Sequence, residues 1–109
     1  MTTDSDSAGD VEITDDTTGR YELRIDGQLA ALEVYRLEPG AISFDHTETL
    51  PGFEGHGAAR RLTEHILEDA RRRGLAVLPR CPYVAAFIKR HPDTYLDLVP
   101  PDRRAEFDL

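Results

Sequence analysis

Three short segments hold the residue types that could carry chemistry in this chain of 109 residues. The first is a loop, Gly55-His56-Gly57-Ala58-Ala59, between a strand-like run and an amphipathic helical pattern. Glycine lacks Cβ, so a ligand can approach the backbone closely, and the helix that follows directs its free N–H groups and positive dipole end at the loop. The pattern predicts a phosphate site for a nucleotide-like ligand. A tight turn that needs glycine only for its backbone angles is the alternative.

The second segment is His46-Thr47-Glu48, near the end of a predicted strand. Side chains alternate along a strand, so His46 and Glu48 are expected on one face, together with Ile42 and Phe44. A histidine and a carboxylate two residues apart can transfer protons. The alternative is a half-buried histidine beside a solvated glutamate, with no catalytic role.

The third segment is Pro79-Arg80-Cys81-Pro82-Tyr83, at a predicted strand-to-helix turn. A thiol close to a helix N-terminus is placed where its thiolate form is favoured, and the neighbouring Arg80 would add to that effect. Tyr83 is a candidate proton donor. The alternatives are a buried, inert cysteine and a tyrosine that only packs.

Residue periodicity predicts the elements that hold these segments. Alternation of period two predicts strands at residues 11–13, 21–25, 29–37 and 41–50, and Asp26-Gly27 is a strong hairpin signal. From Ala58 the apolar positions follow a helical period, and Gly74 ends that helix. An all-apolar run at 75–78 predicts a buried strand, and Pro82 begins a further helix.

These elements predict one α/β (α+β) domain, in which an antiparallel meander is followed by a helix–parallel strand–helix unit. Its expected extent is residues 10–99, with a disordered acidic tail at 1–9 and a polar C-terminal tail at 100–109.

Composition excludes several classes of function. The formal net charge of −8 argues against general nucleic-acid binding, although residues 55–91 hold eight bases and three acids. No run of about 18 apolar residues suggests a membrane span, and the N-terminus lacks the apolar stretch of a secretory signal. The single cysteine, Cys81, forms no zinc pattern. We therefore expect a cytoplasmic protein without a metal, whose oligomeric state the sequence leaves open.

The three motifs in this order resemble the GNAT superfamily of N-acetyltransferases, and in particular its small, truncated members. The resemblance covers residues 11–99 and implies a site for acetyl-CoA. The main-chain amides of residues 54–59 (Glu54, Gly55, His56, Gly57, Ala58, Ala59) would bind the pyrophosphate. The pantetheine arm would bond to the main chain near Glu48, Thr49 and Leu50. Local charge adds Arg60, Arg61, Lys89 and Arg90 as candidates for the outer phosphates. Glu54 departs from the superfamily's Gln or Arg and is expected to point away.

The resemblance further implies transfer of an acetyl group from acetyl-CoA, a small-molecule donor, to an unidentified amine. Glu48 or His46 would remove the amine proton, and Cys81 or Tyr83 would protonate the departing thiolate. In a variant of this route, Cys81 is itself acetylated. Two alternatives stay open: a non-catalytic module that binds coenzyme A or an acyl-CoA, and a small structural domain whose glycine loop only turns.

Overall fold

Five strands form one sheet in the order β1-β2-β3-β4-β5 in the computed structural model, which describes residues 10–109. The first four are antiparallel neighbours, and β5 runs parallel to β4. The strands are β1 (Val11–Asp15), β2 (Arg20–Ile25), β3 (Gln28–Glu38), β4 (Ala41–Thr49) and β5 (Ala76–Pro79). The predicted meander and parallel strand are confirmed. The predicted disorder of residues 1–9 lies outside the described residues.

Helix α1 (Ala58–Arg72) connects β4 to β5, and α2 (Pro82–Arg90) follows β5. The buried side chains of α1 recur at helical spacing and pack across β2, β3 and β4, whereas α2 packs on β4 and β5. A short helix α3 (Pro92–Tyr95) and a 3-10 turn (Leu96–Leu98) complete the apolar core. None of the described helices is long and apolar enough to cross a membrane.

The pairing of β3 with β4 shifts by one residue at Asp45. Val34 lies opposite His46 but Tyr35 lies opposite Phe44, so Asp45 is an extra residue in β4. Such a bulge changes the face on which the following side chains lie. His46 and Glu48 do share a face, but the prediction that Ile42 and Phe44 lie on it with them is wrong. Simple alternation along the sequence cannot detect one inserted residue.

The C-terminal segment is packed against the domain. Residues Pro101–Phe107 form a 3-10 helix, and the side chain of Phe107 is buried. The guanidinium of Arg104 donates to the main-chain oxygens of Val99 and Leu96 at 3.0 and 3.1 Å. The predicted polar tail therefore forms part of the folded unit, because Phe107 and Leu109 pack on the apolar core and Arg104 bonds to the preceding turn.

Candidate active site

Strands β4 and β5 pair only over Ala41–Phe44 and Ala76–Pro79, and then separate. Pro79 ends β5 because its nitrogen has no hydrogen to donate to a neighbouring strand. The last hydrogen bond between β4 and the segment after β5 is made by the main-chain N–H of Cys81, which donates to the oxygen of Phe44 at 2.8 Å. Beyond this point no described strand covers the outer edge of β4, so Cys81 lies where the two strands part.

The hydrogen bonds of β4 determine which of its main-chain groups face this open edge. The N–H of Leu50 donates to the oxygen of Ala30 at 2.8 Å, which makes Ala31 and Thr49 a non-hydrogen-bonded pair. The pattern alternates, so the pair of Glu33 and Thr47 is of the same kind. The main-chain groups of Thr47 and Thr49 therefore point away from β3. An extended ligand with amide groups can bond to such an edge as an added strand does.

The glycine loop has the backbone conformation that the sequence predicts. Gly55 and Gly57 have φ angles of 83° and 74°, in the left-handed region that glycine enters without strain. Gly57 caps α1 without any side-chain hydrogen bond, and the first bonded amide of the helix is Arg61, which donates to Gly57 at 3.0 Å. Six main-chain N–H groups have no acceptor among residues 10–109: those of Glu54, Gly55, Gly57, Ala58, Ala59 and Arg60.

A cavity of about 270 Å³ lies between this loop and the start of α2. Most of the predicted ligand-binding residues line this cavity, and Phe53 lines it as well. Its walls are formed by Thr49, Phe53, Glu54, Gly55, Gly57, Ala58, Ala59, Arg60 and Tyr83. Arg60 is the basic side chain among them, and it also contacts Glu64 one turn later in α1, at 3.2 Å. The exposed His56 lies at the edge of this region with its ring 6.0 Å from that of Phe53.

The side chain of Glu54 turns back along the loop. Its Oε1 accepts the main-chain N–H of Gly52 at 3.0 Å. Gly52 precedes the six amides without acceptors, so the carboxylate occupies none of them.

The structure does not bring Lys89 and Arg90 to the glycine loop. Lys89 lines a separate cavity of about 390 Å³ next to Arg80 and Glu106. Arg90 lies with its guanidinium carbon 6.0 Å from the ring centre of Phe87. A helix has about 3.6 residues per turn, so these bases lie nearly two turns beyond Tyr83. Their predicted contact with outer phosphates therefore gains no support from the geometry.

His46 and Glu48 form a contact on the exposed face of β4. His46 Nε2 lies 3.4 Å from Glu48 Oε1, and the two side chains are 61% and 49% exposed. Their cross-strand partners are Val34 and Leu32. The predicted pairing of these two residues is thus present, but on the opposite face of the strand from Thr47.

Cys81 contacts the buried face of β4. Cys81 is only 4% exposed, and its Sγ lies 3.1 Å from the hydroxyl oxygen of Thr47. The hydroxyl of Thr47 donates in turn to Glu33 Oε1. The thiol, the hydroxyl and the carboxyl therefore form one continuous chain of polar groups.

Glu33 is a buried titratable residue of this region that the motifs do not reveal. It is fully buried, and its Oε2 has no hydrogen-bond partner among residues 10–109. Burial raises the pKa of Glu33 from 4.5 to about 8, against the opposing effect of the Thr47 hydroxyl. At neutral pH the carboxyl therefore holds its proton. The available signal was its position on the same strand face as the apolar Ala31 and Tyr35.

A family model described as GCN5-related N-acetyl-transferase matches residues 20–98 of the chain. The match runs from β2 to the 3-10 turn after α3 and includes all three motifs. The predicted resemblance to this superfamily is confirmed. A search of curated proteins finds no match to the chain.

Proposed function

Because the chain belongs to the family of GCN5-related N-acetyltransferases, we propose that it transfers an acetyl group from acetyl-CoA to an amine. The observation that carries this proposal is that two features lie along the same open strand edge. The free amides of the glycine loop lie at one end of the open edge of β4, and Cys81 lies at the other. A ligand with a diphosphate at one end and a thioester at the other fits this arrangement.

The glycine loop would bind the diphosphate of coenzyme A. Amides at a helix start donate to phosphate oxygens, and the helix dipole adds a favourable field. Arg60 in the same cavity supplies a positive charge. The pantetheine arm would then follow the main chain of Thr49 and Thr47, which brings the thioester to the point where β4 and β5 part.

The reaction needs a proton acceptor for the amine and a proton donor for the departing sulfur. Attack by the amine nitrogen breaks the C–S bond, and the electron pair goes to the sulfur of coenzyme A. Of the two predicted donors, Cys81 lies at the strand separation, whereas Tyr83 lines the loop cavity. We therefore assign the proton donation to Cys81. His46 and Glu48, exposed to solvent, would accept the amine proton through water.

Titration calorimetry with coenzyme A, followed by release of free coenzyme A with a panel of amines, tests the proposal in two steps. We expect binding that weakens as salt is added, because phosphates meet a basic side chain, and turnover with at least one amine. Absence of heat at millimolar coenzyme A would reject both activity and binding. Heat without turnover would favour the non-catalytic binding module.

Two glycine variants provide the matched control for the binding step. Gly57 and Gly40 have similar φ angles of 74° and 70°, and a Cβ would meet no backbone atom within 4 Å at either position. Gly57→Val and Gly40→Val should therefore lower the stability of the protein by similar amounts. Only Gly57→Val places a side chain in the cavity between the glycine loop and α2, where the diphosphate would bind. We expect at least about 10-fold weaker binding for Gly57→Val alone. Equal affinity of the two folded variants would contradict the assigned site.

A further inference from the structure

We propose that Glu33 supplies, through the Thr47 hydroxyl, the proton that restores the Cys81 thiol after it has protonated the departing thiolate of coenzyme A. This inference rests on the proposed acetyl transfer, and it assigns a role to a residue outside the three motifs. Glu33 acts through two other side chains and is a positioning residue rather than a group in contact with the substrate.

The register of the sheet builds the path for this proton. Glu33 and Thr47 are direct cross-strand partners, and the bulge at Asp45 puts the Thr47 side chain on the buried face. The turn after β5 places Cys81 Sγ 3.1 Å from the same hydroxyl. A hydroxyl can accept from one neighbour while it donates to the other, so protons can move along the chain in either direction. Burial keeps water from competing for these bonds.

The environment of Glu33 favours the protonated carboxyl at rest. No described cation pairs with it, and its Oε2 has no hydrogen-bond partner among residues 10–109. An ionised carboxylate in such a place would lack solvation, so the neutral acid is the more stable form. The carboxylate of Asp45 in β4 also raises the pKa of Glu33, whereas the Thr47 hydroxyl and the main chain of His46 lower it by a smaller amount than burial raises it.

The proton balance closes over one turnover. The thiolate of coenzyme A takes the S–H proton of Cys81, which leaves a Cys81 thiolate. The Thr47 hydroxyl, which donates to Glu33 at rest, then turns its hydrogen towards the Cys81 thiolate and accepts from the protonated carboxyl instead. The thiolate takes the hydroxyl proton of Thr47, whose oxygen takes the carboxyl proton of Glu33. The amine nitrogen loses one proton to solvent through the exposed pair. Once coenzyme A has left, Glu33 regains a proton from solvent through Cys81 and Thr47, along the same chain in reverse. The net charge of the protein is unchanged.

Glu33→Gln tests the proposal because glutamine keeps the size and can still bond to Thr47, but has no carboxyl proton. We expect kcat to fall about 10²-fold while the KM for acetyl-CoA changes less than about 2-fold. In the native protein kcat should fall as pH rises through about 8, where Glu33 loses its proton. The variant should lack this step. An unchanged kcat with the native pH profile would overturn the proposal and leave acetyl transfer intact.

Two variants of Thr47 separate proton relay from packing. Thr47→Val keeps the branched shape without the hydroxyl and should lose kcat as Glu33→Gln does, whereas Thr47→Ser keeps the hydroxyl and should retain most of it. Glu12→Gln, at an exposed glutamate of β1, is the control for a lost carboxylate. A Thr47→Ser variant as impaired as Thr47→Val would favour a packing role and contradict the relay.

Infrared spectroscopy gives a readout that does not depend on turnover. A protonated carboxyl absorbs apart from ionised ones, and we expect a band at pH 7 that disappears in Glu33→Gln. The S–H band is assignable because Cys81 is the only cysteine, and it should shift in Thr47→Val. If wild type releases no coenzyme A, the proposed function fails. A spectrum without the carboxyl band overturns the role of Glu33 even in an active protein.

Discussion

The two faces of β4 carry similar residue types in opposite surroundings. His46 and Glu48 lie 3.4 Å apart on the exposed face, where water screens their interaction. Thr47, between them in sequence, joins Cys81 to the fully buried Glu33 on the other face. An exposed pair exchanges protons readily with solvent, whereas a buried carboxyl retains its proton. Surroundings rather than residue type therefore separate the proposed proton acceptor from the proposed proton supply.

Insertion of one alanine after Asp45 should have the largest effect, since it moves every later residue of β4 by one position. With the bulge kept at Asp45, alternation would carry His46 and Glu48 to the buried face, opposite Glu33 and Ala31, and Thr47 to the exposed one. Burying both groups costs several kcal/mol, comparable to the whole stability of a small domain. We expect the insertion variant to lose its cooperative thermal transition in circular dichroism.

Asp45→Asn is the matched control for the insertion. It keeps the spacing along β4 and can still bond to Arg36 and Ser43, which contact Asp45 at 2.6 and 2.5 Å. It should melt cooperatively, within a few degrees of the native protein. An insertion variant that folds equally well would show that the order of residues in β4 does not fix the faces.

The bulge also marks the limit of what the sequence predicts. The meander and the glycine loop follow from local signals, namely alternation, the Asp26-Gly27 turn and the backbone angles that glycine permits. The extra residue at Asp45 has no such signal, because the residues around it continue to alternate plausibly. The fold is therefore predictable, and so is the separation of His46 and Glu48 from Thr47, but which of the two faces is buried is not.

Burial and distance explain the other differences between sequence and structure. Glu33 is buried because α1 packs over β3 and because α2 begins beside β4, and both contacts are remote in sequence. Local charge groups Lys89 with the loop, but α2 places it in another cavity. The C-terminal segment is similar, because its composition is polar but Phe107 and Leu109 pack on the core. In each case the deciding neighbour lies far along the chain.

The second-largest difference between the two faces of β4 is expected in how the stability of the protein depends on pH. Glu33 has a pKa of about 8 in the folded protein and an ordinary 4.5 when unfolded. Its protonated form stabilises the fold fully below pH 4.5, and this contribution is lost as pH rises towards 8. The free energy of unfolding should fall, relative to Glu33→Gln, by up to about 1.4 kcal/mol per pH unit in this window.

Urea denaturation at several pH values measures this difference. Glu48→Gln, which removes a carboxylate from the exposed face, serves as the control and should follow the native curve closely. Parallel curves for the native protein and Glu33→Gln would mean that Glu33 is ionised in the folded state, and the contrast between the faces would fail.

Cys81→Ala should lower kcat by about 10²-fold, whereas the double variant of His46→Ala and Glu48→Gln should lower it by about 10-fold. The smaller loss is expected because water can replace an exposed proton acceptor, but cannot enter the buried chain as easily. Steady-state release of coenzyme A compares the two. A double variant more impaired than Cys81→Ala would reverse the assigned importance of the faces.

Intact-protein mass spectrometry of the same proteins tests the covalent route. Direct attack predicts no acetyl adduct when native protein is mixed with acetyl-CoA alone. An adduct on the native protein that is absent from Cys81→Ala would replace direct attack with transfer through an acetylated Cys81.

The smallest effect is expected for the contact between His46 and Glu48. The side chain of His46 is 61% exposed and that of Glu48 is 49% exposed, so solvent and salt weaken the interaction between them. A double-mutant cycle on stability, with His46→Ala and Glu48→Ala, should give a coupling of about 0.5 kcal/mol or less. Urea denaturation at low and high salt measures it. A coupling several times larger and insensitive to salt would mean that this face is also shielded from water, and the contrast on which the two proton roles depend would be lost.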